Sequence, residues 1–199
     1  MYILFNFINR SNSSDASVVM FQKNVSASAD GTAIAYKVIK NARPEEKLPF
    51  SFPVNMEIGA KDTDGYESPN APAEGGDTFM LQRAAGSDSL YKSVSKGNPN
   101  EILLYNLLNT GRVDAFLYKE YKVLARQIGI THIHSAVFEI KPSLWIGVTD
   151  QVAEGGVMSA GLLSNIKTEL PLTGLKSADI VMTGDVGRFE FALENAVIG

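Results

Sequence analysis

Apolar and polar residues alternate with a period of two along most of the chain, which is the pattern typical of β-strands. The densest run of such segments covers residues 113–148 and predicts three or four strands. Within it, Ala136, Phe138 and Ile140 share one parity, while Glu139 has the other. Successive side chains of a strand point to opposite faces, so this segment predicts a strand that is buried on one face.

Two boundaries divide this run into separate strands. Pro142 has no N–H to donate to a neighbouring strand, so it separates the strand before it from a buried strand at residues 144–148. The first reversal falls near Lys119 and Glu120. Neither residue favours a positive φ, and the Asn-Gly or Asp-Gly pair of the tightest hairpins is missing. We therefore expect a type I turn or a bulged loop there.

Further strand segments lie on both sides of this run and are separated by turn residues. They occur at residues 1–8, 17–21, 32–40, 50–58, 78–81, 90–94, 102–105, 168–172, 178–183 and 189–193. The last two are expected to form a hairpin across residues 184–187, and a loop is expected at residues 24–31.

About a dozen short strands with turn signals roughly every 8–12 residues predict an all-β protein. We expect one antiparallel β-sandwich domain spanning residues 1–199, with a barrel as the alternative. At most one short helix is expected, near residues 157–166. Apolar residues make up 45% of the chain and charged residues 20%, which is typical of a globular domain with its own core.

Charge and residue counts narrow the classes of function. The net charge of −4, without a cluster of Lys or Arg, argues against nucleic-acid binding, which requires a basic surface. Cysteine is missing, so disulfides, thiolate metal ligands and thiol nucleophiles are excluded. No segment approaches the roughly 18 apolar residues of a transmembrane helix, and the apolar start lacks the basic region of a secretory signal. We expect a protein that is cytoplasmic or exported by a route without such a signal.

The sharpest candidate for metal chemistry is the group of His132, His134 and Glu139. Two histidines that lie two residues apart on a strand project to one side, as metal ligation requires. This group resembles the first motif of the cupin family, in which His-x-His and a later glutamate bind a metal inside a β-barrel. However, Glu139 has the opposite parity and the chain has no third histidine. We expect hydrogen-bonded histidines without a metal, and a cupin-like metalloenzyme is an alternative.

Residues 59–77 form the longest stretch without a strand pattern, and we expect an exposed loop of the kind that is often mobile or functional. Asp62 and Asp64 offer oxygen ligands suited to calcium, although the further ligands of a complete calcium loop are missing. Together with Tyr66 and Glu67 they form a candidate carbohydrate site, because sugars bind to aromatic rings and carboxylate acceptors. An Asx-turn in solvent explains the same residues without a ligand, so we expect no cofactor, with calcium as the alternative.

The first strand is apolar on both faces. Its candidate interaction residues are Tyr2, Ile3, Leu4, Phe5, Phe7 and Ile8. Burying one such large side chain contributes about 1.5–3 kcal/mol, so both faces require cover. Cover can come from the chain itself or from a second copy, which leaves an internal strand and a subunit interface as alternatives.

Residues for catalysis are few. The chain contains no serine nucleophile between glycines, no phosphate-binding glycine loop and no Cys–His pair. We therefore expect a non-enzymatic β-sandwich that acts by self-association, as a homo-oligomer, or by binding another macromolecule. Besides the metalloenzyme, the alternatives are a lectin-like carbohydrate-binding module that uses residues 59–77 and a membrane-acting β-protein that inserts residues 155–166.

Overall fold

The structure, a computed structural model, describes residues 1–26 and 32–199. It confirms the all-β class, with 56% of residues in strands and 3% in a helix. The loop expected at residues 24–31 lies mostly outside the described residues. The described elements, numbered in chain order, are β1 (Tyr2–Asn9), β2 (Val18–Phe21), β3 (Ala33–Ile34), β4 (Lys37–Ile39), β5 (Lys47–Pro53), β6 (Met56–Asp62), β7 (Ala71–Ala73), β8 (Thr78–Ala84), β9 (Ser87–Lys92), β10 (Ile102–Asn106), β11 (Val113–Lys119), β12 (Lys122–Ile130), β13 (Ser135–Phe138), β14 (Ser143–Val148), β15 (Val157–Met158), α1 (Ala160–Asn165), β16 (Thr168–Pro171), β17 (Leu175–Asp185) and β18 (Arg188–Ile198).

The strands outnumber the dozen expected because several ladders are too short for a period of two to be visible. β3, β7 and β15 have only two or three residues each. The helix α1 lies within the predicted range, and the side chain of Ser159 caps it by accepting the N–H of Leu162.

The chain divides into two compact units, which are described separately. Unit 1 comprises residues 1–22, 33–54 and 142–199, and unit 2 comprises residues 55–141 with the described part of 23–32. The expectation of a single domain over residues 1–199 stays a prediction.

Unit 1 contains two four-stranded sheets and the short pair of β15 with β3. The first sheet has the strand order β18-β17-β1-β5, in which β1 pairs in parallel with β17 and antiparallel with β5. The second has the order β16-β14-β2-β4. The predicted hairpin of the last two strands is confirmed, with β17 and β18 paired from the turn onward.

β1 is an inner strand of its sheet, and its two faces differ. Ile3, Phe5 and Phe7 are buried, whereas Tyr2 and Leu4 are 48% and 60% exposed. Both backbone edges of β1 are paired within the chain. Of the two alternatives for this strand, internal packing therefore accounts for its edges and one face, while the other face stays open.

Unit 2 contains two further four-stranded sheets, with the orders β13-β10-β8-β9 and β12-β11-β6-β7. Alternate residues of β11 are fully buried, as are Ala136 and Phe138 of β13. The half-buried strand predicted around residue 138 is thus confirmed.

The segment of residues 59–77 is not the irregular loop that the sequence predicts. β6 continues to Asp62, where it pairs with Val113 of β11, and β7 occupies residues 71–73. A further bridge joins Lys61 to Glu67. Small and polar residues hide the period of two here, while the neighbouring strand supplies the backbone hydrogen bonds that extend β6.

The turn between β11 and β12 also differs from its prediction. Lys119 pairs with Lys122, and the two residues between them, Glu120 and Tyr121, have φ angles of 50° and 65°. Positive φ at both central residues defines a type I′ turn, so the expected type I turn is wrong, although a bulge does lie in the adjoining ladder. Type I′ geometry matches the twist of paired strands, which explains why it holds residues other than glycine.

We expect Tyr121→Gly to be more stable than Tyr121→Ala. Both variants lose the exposed ring and differ only in the Cβ atom, which makes a φ near 65° costly for alanine but not for glycine. The difference in the free energy of unfolding should be about 1 kcal/mol, measured by denaturant titration. Equal stabilities would show that the turn is not strained.

Candidate functional site

Open strand edges are the first candidate surface. The outer strands of the β1 sheet are β5 and β18. β5 contains Pro49 and Pro53, which have no N–H to donate. β18 has eleven residues and no proline, and no described residue forms a strand pair with its outer edge. Because unpaired edge groups can bind a strand of another chain, β18 is the more accessible of the two edges.

The backbone groups of β18 alternate between β17 and the open edge. The hairpin closes on the pair of Asp185 and Arg188 across a two-residue turn, so this pair is hydrogen bonded and every second pair after it is too. In consequence, the N–H and C=O groups of Phe189, Phe191 and Leu193 point to the open edge.

Asp179 contacts side chains from each of the other three strands of this sheet. The residue lies on β17 and is buried, and its carboxylate accepts hydrogen bonds from Asn6 of β1 at 2.6 Å and from Asn195 of β18 at 2.8 Å. Lys47 of β5 lies 3.8 Å away. The bonds from Asn195 and Asn6 outweigh the effect of burial and lower the pKa of Asp179. Asn195 itself has a φ of 51° and interrupts the regular ladder of β18.

A groove of about 690 Å³ lies within unit 1. It is lined by the segments 13–17, 146–151 and 162–168 and by the tip of the β17–β18 hairpin. Phe189 and Phe191 form a half-buried apolar wall, while Asp15, Asp150 and Lys167 are exposed charged groups around it. An apolar wall beside convergent polar groups is typical of a small-molecule site.

The candidate calcium and carbohydrate residues gather around a buried carboxylate. Asp62 is 7% exposed, and its Oδ1 accepts the N–H groups of Asp64 at 2.9 Å and Tyr66 at 2.8 Å. The predicted Asx-turn is therefore confirmed, but it is not in solvent. No described group donates a hydrogen bond to Oδ2 of Asp62. Glu67 instead forms an isolated backbone β-bridge with Lys61.

Two residues that sequence reasoning missed complete this cluster. Asp88 from β9 lies near Asp62 and is held by Arg83 of β8, with Nε–Oδ1 and Nη2–Oδ2 distances of 2.6 and 3.1 Å. The hydrogen bonds from Arg83 lower the pKa of Asp88. The guanidinium of Arg83 thus supplies positive charge to the cluster in which the sequence had suggested a calcium ion. Arg83 and Asp88 are five residues apart on one hairpin, so alternating charge across a turn was the signal that could have found them.

The histidines do not lie on a strand, which corrects the geometry behind the cupin-like motif. Both occupy the turn between β12 and β13, where Ile133 has a φ of 60°. Nδ1 of His132 lies 2.8 Å from the carbonyl oxygen of Leu108, and Nδ1 of His134 lies 3.0 Å from Oγ1 of Thr131. In residues 1–26 and 32–199, no three His, Asp or Glu side chains, Glu139 included, are grouped to hold a metal ion.

Two further buried charges belong to unit 2. The side chain of Asp77 is fully buried and binds Lys92 at 2.7 Å and Lys96 at 2.6 Å. Burial opposes ionisation there, but these hydrogen bonds outweigh it and lower the pKa of Asp77. Lys119 is buried at the type I′ turn, and desolvation lowers its pKa to about 8.

The segment considered for membrane insertion has apolar side chains in the core. Leu162 and Leu163 of α1 pack against the buried cluster that contains Val19, Phe21 and Met158. Among the helices of the described residues, none is long and apolar enough to cross a membrane.

Comparison with known proteins assigns no family to this fold. The chain matches no protein-family model, no curated protein and no solved structure. Its function is therefore inferred from the edge, the groove and the polar clusters described above.

We expect Asp62→Asn to raise the free energy of unfolding by about 1 kcal/mol, because the amide keeps the acceptor for two N–H groups and turns Oδ2 into a donor beside Asp88. Asp62→Ala should lower it by about 1–3 kcal/mol. The exposed Asp64→Asn is the control and should change it by less than about 0.5 kcal/mol. A calcium-dependent melting temperature that disappears in Asp62→Asn would instead identify a metal site.

Proposed function

We propose that the protein is a non-enzymatic interaction protein that acts by self-association, and that the outer edge of β18 is the surface through which copies pair. The observation that carries this proposal is the contrast between the two edges of one sheet. β5 is interrupted by prolines, whereas β18 presents eleven residues without one.

Natural sheets protect their edges with short strands, prolines or coverings. The edges of the other sheet of unit 1 follow this rule, since β4 has three residues and β16 has four. β18 differs in that it is eleven residues long, contains no proline and has no described strand on its outer side; its charged residues and the irregularity at Asn195 leave residues 188–194 as its regular part. A long sheet edge whose backbone groups have no strand partner is the form that sheets take where they add a strand from a partner.

The first strand contributes in a different way from the one that its sequence suggests. Both edges of β1 are paired, so association there has to use side chains on its open face. Leu4 lies in a row across the sheet that includes Ser177 of β17 and Val197 of β18. Val197 is 51% exposed, so an interface that begins at β18 can extend over this face towards Leu4 and Tyr2.

We expect the intact protein to be a dimer or a larger oligomer by size-exclusion chromatography with light scattering, and Phe191→Pro to be a folded monomer. Proline removes the N–H that points to the open edge, while the bonds of the neighbouring residues to β17 remain. Phe191→Ala is the matched control, because it loses the same ring but keeps the N–H, and it should still associate.

Circular dichroism establishes that Phe191→Pro has kept its strands. If the intact protein is monomeric at high concentration, the proposal is wrong. If the folded Phe191→Pro variant associates as well as Phe191→Ala, another surface is responsible.

A second candidate function is lectin-like carbohydrate binding, and the groove of unit 1 favours it. Phe189 and Phe191 provide a ring surface for the apolar face of a sugar, and Asp15 and Asp150 provide acceptors for its hydroxyl groups. This moves the candidate sugar site from residues 59–77 to the groove.

A glycan array followed by calorimetry tests this second function. We expect Asp150→Ala to weaken the binding of any glycan found by at least about tenfold, since a lost charged acceptor costs roughly 1.5–3 kcal/mol. Asp64→Ala, an exposed carboxylate of unit 2, is the control and should bind as the intact protein does. The absence of any bound glycan would rule out the lectin-like function.

A further inference from the structure

We infer that two copies pair antiparallel along β18 about a two-fold axis that passes through Phe191. This inference rests on the proposed self-association and adds its register, so that each residue of one copy has a defined partner in the other.

The regular part of β18 is centred on this residue. Its ladder with β17 runs without interruption from Arg188, which closes the hairpin, to Glu194. At Asn195 the φ angle becomes positive and the register shifts. Phe191 is the midpoint of the seven residues between these limits, so an axis there uses the whole regular edge of both copies.

The backbone groups fit the same axis. The N–H and C=O groups of Phe189, Phe191 and Leu193 point outward, and the axis places Phe191 opposite itself and Phe189 opposite Leu193. Residues in these positions form hydrogen-bonded pairs of an antiparallel ladder, each with two bonds. Every outward donor of this segment therefore meets an outward acceptor of the other copy.

Charge selects this register over its neighbours. With the axis at Phe191, Arg188 of one copy lies opposite Glu194 of the other, and this favourable pair occurs twice. An axis at residue 190 would place Glu190 opposite itself, and an axis at residue 192 would place Glu190 opposite Glu194. Like charges directly opposite each other destabilise a strand pair.

Glu194 already forms an ion pair within its own chain. Its carboxylate is held by Nη1 of Arg10 at 2.9 and 3.0 Å, and both side chains are exposed. Arg188 of the second copy would then complete a network of three charges, Arg10, Glu194 and Arg188. On the opposite face, the half-buried rings of Phe191 from both copies would form a cross-strand aromatic pair.

Cysteine cross-linking tests the register directly, because the chain has no cysteine of its own. In the inferred register Glu190 of one copy lies opposite Ala192 of the other as a non-hydrogen-bonded pair, at a Cα separation of about 4.5 Å, which a disulfide can span. Both residues are exposed, so substitution there preserves the fold. We expect a mixture of Glu190→Cys and Ala192→Cys proteins to form a disulfide-linked heterodimer under mild oxidation.

Each single variant serves as the control for the other. In the inferred register residue 190 of one copy lies about two residues, or roughly 6.6–6.8 Å along the strand, from residue 190 of the other copy. The same separation applies to residue 192, so neither variant should cross-link alone. Cross-linking of Glu190→Cys with itself would move the axis to residue 190 and overturn the inference. If light scattering shows dimers but the mixture does not cross-link, the register is wrong while self-association stands; a monomer that does not cross-link refutes both.

Charge reversal provides an independent measurement. Arg188→Glu places two carboxylates opposite each other twice in the dimer and should weaken association about tenfold. Adding Glu194→Arg in the same chain restores opposite charges and should recover most of the loss. If the double variant associates as weakly as Arg188→Glu alone, Arg188 and Glu194 are not partners.

Discussion

The carboxylate of Asp179 is the one side-chain group in the described part of the chain that contacts all the other strands of the β18-β17-β1-β5 sheet. It lies on β17 and is bonded to Asn6 of β1 and Asn195 of β18, with Lys47 of β5 nearby. One buried charge thus connects four strands drawn from both ends of the chain. Because a buried carboxylate is costly without donors, the hydrogen bonds from Asn6 and Asn195 stabilise the packing of β1 and β18 on either side of β17.

This arrangement has two consequences for function. It places the apolar first strand in the interior of the sheet, where its backbone is paired on both sides, and it leaves β18 outermost. It also holds Asn195 at the point where the ladder of β18 becomes irregular. The regular part of the open edge therefore ends at a residue whose side chain is bonded to Asp179.

Features with a local cause were predictable from the sequence. Alternation predicted the strand around Phe138 and the terminal hairpin, and the short helix expected near residues 157–166 is α1. The turn at Glu120 and Tyr121 was predicted wrongly, because strand twist outweighed the preference of these residues for negative φ. The strand nature of β7 was hidden because its backbone pairing, and not its side-chain pattern, defines it.

Candidate sites were harder to predict, since they depend on contacts between distant segments. The burial of Asp62 depends on a second hairpin that carries Arg83 and Asp88. Likewise, an open edge at β18 could not be recognised before the partners of β1 were known. Strand order is a long-range property, and alternation along one strand does not reveal which strands are its neighbours.

Residue-resolved hydrogen exchange as a function of protein concentration tests the central claim most directly. The amides of Glu190 and Ala192 face β17 and should be protected at every concentration. Those of Phe189, Phe191 and Leu193 face the open edge and should exchange rapidly in dilute solution but slowly in concentrated solution. Rapid exchange of these three amides at all concentrations would contradict pairing through β18.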